Sequence, residues 1–252
     1  MSVLLLILLL TTGSSYSLEC RTNCSLGPFY FFRPFNIPDG QCQQRKSGLV
    51  CSVKMTFRYD SKLYYVDFDT SSLSTDSFYI SDGNYLSYSI NYQCSKGIDC
   101  VIPYTQNRIY EMFDRVYNPQ IIYGEIAPII ENPSRNGTIQ CYNTRNATIT
   151  CGSKEFCNLD YDQRENKFRS RGCKQNIEPR VHVYDGRSYS SFEIGCNRDL
   201  CNNDETLSKI KTILINYGLI DDNGRRIAQG NIKMVSLLLM LSALIFNILY
   251  SL

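Results

Sequence analysis

The sequence predicts an exported, disulfide-rich protein built mainly from β-strands. Twelve of its 252 residues are cysteines, and all of them lie between Cys20 and Cys201. An even number of cysteines in a secreted chain indicates paired disulfides rather than metal sites or free thiols. Between the cysteines, apolar and polar residues alternate in short runs separated by turn sequences such as Asp-Gly, which is typical of β-hairpins.

The N-terminal segment, residues 1–17, predicts a secretory signal peptide. Residues 3–10 are wholly apolar, and small residues at 15–17 suit a cleavage site. The apolar run is too short to span a membrane. We therefore expect the mature chain to begin at Leu18 in an oxidising compartment.

The C-terminal segment predicts a lipid anchor. Residues 234–252 are almost entirely apolar, and no lysine or arginine follows them to hold an inner end in the cytoplasm. Small residues, a polar spacer and an apolar tail together match the signal for a glycosylphosphatidylinositol (GPI) anchor. The expected attachment residue is Asp222 or Asn223; Gly230-Asn231 is a weaker choice because its spacer to the tail is too short. A retained single span is the alternative to the anchor.

The composition argues against several classes of function. The formal net charge of +2 gives no strong field for binding nucleic acid. The chain has one histidine, His182, and no Cys-x-x-Cys pair, so the usual zinc ligands are missing. With all cysteines in disulfides, no thiolate nucleophile is left. We expect no metal, no cofactor and no enzymatic activity.

Three sequons predict N-glycosylation, in agreement with export. They begin at Asn23, Asn136 and Asn146. Asn23 is the weakest candidate because a cysteine occupies the middle of its sequon.

The first half of the mature chain, residues 18–102, predicts a long loop, two hairpins and a short closing loop. Apolar residues alternate from Val53 to Tyr59, and Asp82-Gly83 marks the turn of the second hairpin. Its many tyrosines are interpreted as cross-strand pairs that stabilise a thin sheet. Residues 103–138 form a bridge. In it we expect Thr105 to cap a helix from about Gln106 to Tyr117, which Pro119 would end and which would pack on one of the cysteine-rich halves. The alternative is a mobile spacer.

The second half, residues 139–203, carries specific motifs. They are Cys141-Tyr142-Asn143, the segment from Thr150 to Cys157, Arg171-Gly172-Cys173, and the stretch from Gly195 to Asn202. Together they resemble a three-finger domain of the lymphocyte-antigen and urokinase-receptor family. The stretch from Gly195 to Asn202 is similar to the family's closing knot, Cys-Cys-x-x-Asp-x-Cys-Asn, with Gly195 in place of the first cysteine.

The resemblance implies a disulfide pattern, whereas six cysteines alone could pair in fifteen ways. The implied pairs are Cys141–Cys157, Cys151–Cys173 and Cys196–Cys201. By the same logic the first half resembles a diverged copy, with the pairs Cys20–Cys51, Cys24–Cys42 and Cys94–Cys100. The expected fold is therefore all-β and disulfide-rich, with two tandem three-finger-type domains, a helical bridge, and a stalk at 204–233. In the stalk we expect Asp204 to cap a short helix that runs to about Tyr217, before Gly218.

The resemblance also implies binding through the finger loops. The second finger, residues 158–172, has a basic tip whose cations could contact an acidic partner. The candidate partner-binding residues are Arg164, Lys167, Phe168, Arg169 and, on the third finger, Arg187. The alternative is a solvated hairpin whose charges block edge-to-edge pairing.

These observations predict a GPI-anchored protein on the extracellular side of the plasma membrane. It would bind an extracellular protein ligand or a membrane receptor, as a receptor, co-receptor or modulator. The alternatives are a secreted toxin-like or inhibitor module and a single-span membrane receptor.

Overall fold

The structure is a computed structural model that describes residues 18–70, 75–175, 177–186 and 190–224. The signal peptide and the apolar tail predicted from the sequence lie outside the described residues. Within them the chain is mainly β-sheet, with three helices and six disulfides. The predicted disulfide-rich all-β fold is confirmed.

Seven strands precede the helices of the bridge, and six follow them. The first seven are β1 (Leu18–Arg21), β2 (Cys24–Tyr30), β3 (Arg45–Gly48), β4 (Cys51–Arg58), β5 (Leu63–Asp69), β6 (Thr75–Ser81) and β7 (Tyr85–Cys94). The next six are β8 (Ile139–Tyr142), β9 (Thr148–Cys151), β10 (Glu155–Asp162), β11 (Lys167–Gln175), β12 (Arg180–Gly186) and β13 (Ser190–Cys196). The helices are α1 (Val101–Asp114), α2 (Pro119–Ile130) and α3 (Asp204–Asn216).

The two halves of the chain share one nine-stranded sheet. Its order is β11-β10-β13-β12-β6-β7-β4-β5-β2, and β1–β3 and β8–β9 form two separate ribbons. The join is the antiparallel pair β12–β6, in which His182 faces Tyr79 and Val183 faces Phe78. Because this pair is antiparallel, the hairpins of the two halves point in opposite directions.

One face of the sheet is apolar and carries the core. Along β4 the buried side chains are Val53, Met55 and Phe57, while Lys54 points to the exposed face. The same alternation continues through the join, where Ile80 and Val181 are both fully buried. Burying each such side chain contributes about 1.5–3 kcal/mol. The helices supply the other side of this core through residues such as Ile109, Ile122 and Ile210.

The bridge contains two helices, whereas the sequence predicted one that Pro119 would end. The first begins directly after Cys100, and Thr105, expected as its cap, lies inside it and donates its hydroxyl to Val101 O at 2.8 Å. Pro119 opens the second helix, with Asn118 as N-cap. Proline suits a first helical position because the N–H that it lacks has no partner there.

The stalk helix was predicted with nearly the right bounds. Its N-cap is Asn203 rather than Asp204, and the Asn203 carboxamide accepts the N–H of Thr206 at 2.7 Å. Past its end, Gly218 adopts a φ of 65°. A residue in this left-handed conformation is a common helix stop, and glycine adopts it without strain.

Both outer strands of the sheet carry features that discourage pairing with another chain. The outer strand β11 has the sequence KFRSRGCKQ, rich in Lys and Arg. The strand β2 at the other side is interrupted by an irregular register between Leu26 and Phe29. Charged side chains and bulges are recognised ways of protecting sheet edges.

The described chain ends at one end of the sheet, which we call the near end. After α3, Leu219 and Ile220 line a small cavity with Asp76 and Asp185, where β6 begins and β12 finishes. The last described residue, Gly224, then lies against the side chain of Gln163 at the tip of the β10–β11 hairpin. The near end thus includes this tip, together with the loop between Cys94 and Cys100 that follows β7.

The opposite end of the sheet, which we call the far end, carries the turns of the first-half hairpins and the base of the second half. The turns are residues 59–62 and 82–84, and the base includes the closing loop at 197–200. The α1 helix reaches the far end, since the Tyr59 hydroxyl donates to Met112 O at 3.0 Å. The two halves therefore lie head to tail.

Candidate interaction surfaces

The disulfides join the same partners that the sequence analysis named. The pairs are Cys20–Cys51, Cys24–Cys42, Cys94–Cys100, Cys141–Cys157, Cys151–Cys173 and Cys196–Cys201. Among the described residues, the side chains grouped closely enough to hold a metal are cysteines of these bonds. Disulfide sulfurs are poor metal ligands, because metals bind the thiolate.

The closing loop of the second half is held by hydrogen bonds to the opening strand β8. The Asn202 carboxamide is fully buried; it accepts the N–H of Tyr142 at 2.9 Å and donates to Tyr142 O at 2.8 Å and Asn158 O at 3.1 Å. Nearby, Asp199 accepts the N–H of Gln140 at 2.8 Å. The motif residues of this stretch therefore have a structural role, positioning the hairpins.

The basic candidates of the second finger lie together at the near end, but their charges are largely satisfied within the finger. Lys167 forms an ion pair with Glu165, and Arg169 pairs with the buried Asp162 at 2.7 Å. Arg164 donates to the backbone oxygen of Gly186 on the third finger. Cations that already have partners offer less attraction to an acidic ligand.

The aromatic candidate of this finger has packing contacts. Phe168 is half-buried, with its ring centroid 5.4 Å from that of Tyr161 and 4.3 Å from the guanidinium carbon of Arg171. Arg171 is buried and donates to the backbone oxygen of Asn202 at 2.5 Å. The remaining candidate, Arg187, lies outside the described residues.

The predicted glycosylation residues are all exposed. Asn23, Asn136 and Asn146 each lie in a loop or turn. The Asn146 carboxamide oxygen accepts a hydrogen bond from Arg171 at 2.6 Å, which fixes its orientation. A glycan is attached through the amide nitrogen, which this contact leaves accessible.

The predicted anchor residues also lie at the surface. Asp222 and Asn223 are exposed at the near end, between buried Ile220 and Gly224. Gly224 has a φ of 73°, and a methyl group there would overlap Gln163. Gly224 follows the predicted attachment residues, and the buried residues that precede them, Leu219 and Ile220, hold the chain at the near end.

Among the described residues, no helix is both long enough and apolar enough to cross a membrane.

The only histidine of the chain lies on the exposed face of the sheet at the join between the halves. Its ring is 3.9 Å from that of Tyr184 and 5.3 Å from that of Tyr79, between centroids. Burial between these neighbours lowers the pKa of His182 to about 4, and Arg180 adds to this effect while Glu193 opposes it. His182 is thus kept neutral over the physiological pH range.

Two shallow polar grooves flank the closing loop at the far end. One, of about 390 Å³, is lined by Glu131, Asn132, Pro133, Arg198 and Asp199. The other, of about 270 Å³, lies on the opposite side of Arg198 and Asp199, against the first turn of α3. Arg198 is already bonded to the backbone oxygen of Pro128.

The far end also presents aromatic residues that sequence reasoning missed. Tyr30 and Phe32 are 51% and 78% exposed, and their rings stack at 5.4 Å between centroids. The sequence predicts that the many tyrosines form cross-strand pairs. The available signal was the run Phe29-Tyr30-Phe31-Phe32, because four consecutive aromatic residues cannot all point into one core.

Comparison with models of known protein families finds no match for this sequence, and neither does comparison with curated proteins.

Proposed function

We propose that the protein is held on the extracellular side of the plasma membrane by a GPI anchor and binds a protein partner. The observation that carries the proposal is the position of Asp222 and Asn223. Both are exposed at the near end, next to the tip of the second finger. An anchor at either residue turns the near end toward the bilayer and presents the far end to the extracellular space.

This orientation changes the role of the second finger. Its tip, with Arg164 and Lys167, would face the membrane rather than an extracellular partner. The internal partners of these two side chains, Gly186 O and Glu165, support the same view. The partner-binding surface is then expected on the far end.

We also propose that the two halves are related three-finger-type domains. Equivalent strands follow the order β11-β10-β13-β12 in the second half and β5-β4-β7-β6 in the first. In each half, two cysteines face each other on neighbouring strands: Cys157 and Cys196 in the second half, and Cys51 and Cys94 in the first. The two pairs occupy equivalent positions. A short disulfide loop and then a helix follow in each.

Release by phosphatidylinositol-specific phospholipase C tests the anchor. Intact cells expressing the full chain should lose surface signal and gain the protein in the medium. Retention of the protein, when a known GPI-anchored protein on the same cells has been released, would contradict the anchor and favour a retained span.

Substitution of the attachment residues tests their identity. The double change Asp222→Trp and Asn223→Trp should abolish surface display, because the attachment site requires small residues. Both side chains are exposed, so the fold should be unaffected. Gly230→Trp is the matched control at the weaker alternative site. Loss of surface display in the Gly230→Trp variant alone would identify Gly230 as the attachment residue instead.

A further inference from the structure

The far end carries an exposed aromatic cluster with a rigid base. Phe31 points inward between Tyr30 and Phe32, with its ring 5.2 Å from that of Tyr59 and 5.3 Å from that of Phe113, between centroids. The Arg33 N–H donates to Tyr30 O at 2.9 Å and closes a tight turn. The two exposed rings are therefore held in place rather than carried on a loose loop.

Further contacts fix the turn on both sides. The Phe31 N–H donates to Lys62 O at 3.1 Å, and the Tyr64 hydroxyl donates to Arg33 O at 3.1 Å. Downstream, Phe35 is buried to 2% exposure. Binding through such a turn would cost little conformational entropy, because the aromatic side chains are already ordered.

The exposed apolar surface extends from this turn onto the end of α1. Tyr110 is 53% exposed, and its ring lies 6.3 Å from that of Phe113, which stacks on Phe31. Val116 is 85% exposed beside the buried Tyr117, which packs on Tyr59. The exposed rings of the turn and of α1 are thus linked through Phe31 and Phe113, and we call them the aromatic cluster: Tyr30, Phe32 and Tyr110.

Two exposed cations, Arg33 and Lys62, border the exposed rings of the turn, and the exposed acidic residue Asp114 lies one helical turn from Tyr110. Arg33 and Lys62 are exposed, and within the described part of the chain neither forms an ion pair. Their neighbour Arg58 differs, because it pairs with Asp60 at 2.9 Å. Unpaired cations beside exposed aromatic rings are complementary to carboxylates that border an apolar surface.

We propose that the aromatic cluster, with Arg33 and Lys62 at its border, is the docking surface for a protein partner whose contact region is apolar and rimmed by Asp or Glu. This inference rests on the proposed function for the orientation of the far end, and it names the partner's chemistry. Tyrosine and arginine are the residue types that most often dominate binding energy at protein interfaces.

Selection from a random peptide library tests the partner chemistry. The full chain, purified in detergent and immobilised on beads, is used to select from phage displaying random twelve-residue peptides. The enriched peptides should combine apolar residues with Asp or Glu. Because this material is removed from the membrane, the result does not depend on how the chain is anchored, so failure here is distinct from failure of the phospholipase test.

Variants of the chain then locate the binding site. Phe32→Ala should weaken binding of a synthetic enriched peptide about thirtyfold, as expected for a central aromatic contact. Arg33→Glu should weaken it about tenfold by reversing a border charge. The matched controls are Ile98→Ala, another exposed apolar residue (72% exposed), and Lys167→Glu at the second finger. Both controls lie at the near end and should leave the affinity unchanged.

Several results would overturn the proposal. The first is selection of basic peptides. The second is that the unchanged chain selects no more peptides than a Phe32→Ala/Arg33→Glu double variant does. The third is that the near-end substitutions abolish peptide binding. A dimer in light scattering that Phe32→Ala dissociates would assign the cluster to a second copy of the chain. Vesicles of phosphatidylcholine and phosphatidylserine that displace the peptide would assign it to a lipid surface.

Discussion

The two halves of the molecule end in equivalent closing loops that are held by different interactions. In the second half, the loop between Cys196 and Cys201 is followed by Asn202, whose buried carboxamide makes three hydrogen bonds to the backbone. In the first half, the loop between Cys94 and Cys100 relies on Asp99, which forms ion pairs with Arg21 on β1 and Arg45 on β3.

Equivalent closing loops are therefore stabilised by interactions of unequal strength in the two halves. The first-half ion pairs are partly exposed, with side-chain exposures of 21–32%. Such pairs contribute about 0–1 kcal/mol each. A buried amide that satisfies three backbone groups is worth more, because its loss leaves those groups without partners. The second half should therefore depend on its closing loop more than the first.

The largest effect is expected from Asn202→Ala. It leaves the N–H and C=O of Tyr142 and the C=O of Asn158 without their partner, so the free energy of unfolding should fall by about 3–5 kcal/mol. The matched change in the first half is Val101→Ala, which follows Cys100 and should cost about 1.5 kcal/mol for two buried carbons. Denaturant unfolding measures both, and equal losses would remove the proposed difference between the halves.

A smaller effect is expected at Gly195, which precedes Cys196 at the end of β13. A Cβ at Gly195 would lie 2.7 Å from Glu178 O and 3.2 Å from the Ile177 side chain. Gly195→Ala should therefore lower the free energy of unfolding by about 1–3 kcal/mol. The first half has Gln93 at the matching position before Cys94, so only the second half excludes a side chain there.

The control for this prediction is Gly152→Ala. The nearest atom to its added methyl would be a Glu155 carboxylate oxygen at 3.5 Å, and the expected change is within about 0.5 kcal/mol. If Gly195→Ala lowers the free energy of unfolding as little as the control does, the close approach of the Glu178 backbone does not explain why a glycine occupies this position.

Local features of the fold could be predicted from the sequence, and the arrangement of the halves could not. The hairpin around Asp82-Gly83 and the helix after Asn203 follow from turn and cap chemistry near in sequence. The pairing of β12 with β6 depends on side chains about a hundred positions apart, and no local pattern specifies it. The near-end location of the second finger tip follows from that pairing and from the path after α3, which no local sequence pattern specifies either.

The join between the halves should weaken at acidic pH. The pKa of His182 in the folded state is about 4, below its ordinary value of 6.5, mainly because of burial. As the pH falls, His182 is therefore protonated in the unfolded state at a higher pH than in the folded state. The stability that is present above pH 6.5 is lost as the pH falls toward 4. We expect a loss on the order of 1–2 kcal/mol after allowance for partial exposure.

The measurement is the free energy of unfolding between pH 7 and 4.5, compared with His182→Gln. Carboxylates also contribute to the pH dependence, including Glu193 beside the join, whose pKa burial alone would raise but Lys174 and Arg180 lower below its ordinary value. The difference between the two proteins isolates the histidine. Parallel pH profiles would show that the join does not depend on its protonation state.

The smallest effects are expected at the acidic residues of the two closing loops, Asp99 and Asp199, whose substitutions should differ in salt dependence. Asp99→Ala should lower the free energy of unfolding by about 0.5–1 kcal/mol at low salt, and by less at high salt, because exposed ion pairs are screened. Asp199→Ala should cost about 1 kcal/mol, since it accepts the backbone N–H of Gln140 at 2.8 Å. A hydrogen bond to a backbone amide involves one charge rather than two, so its loss should depend less on salt. Equal salt dependence of the two variants would mean that both loops are held by the same kind of interaction, and that the two halves differ only in the burial of Asn202.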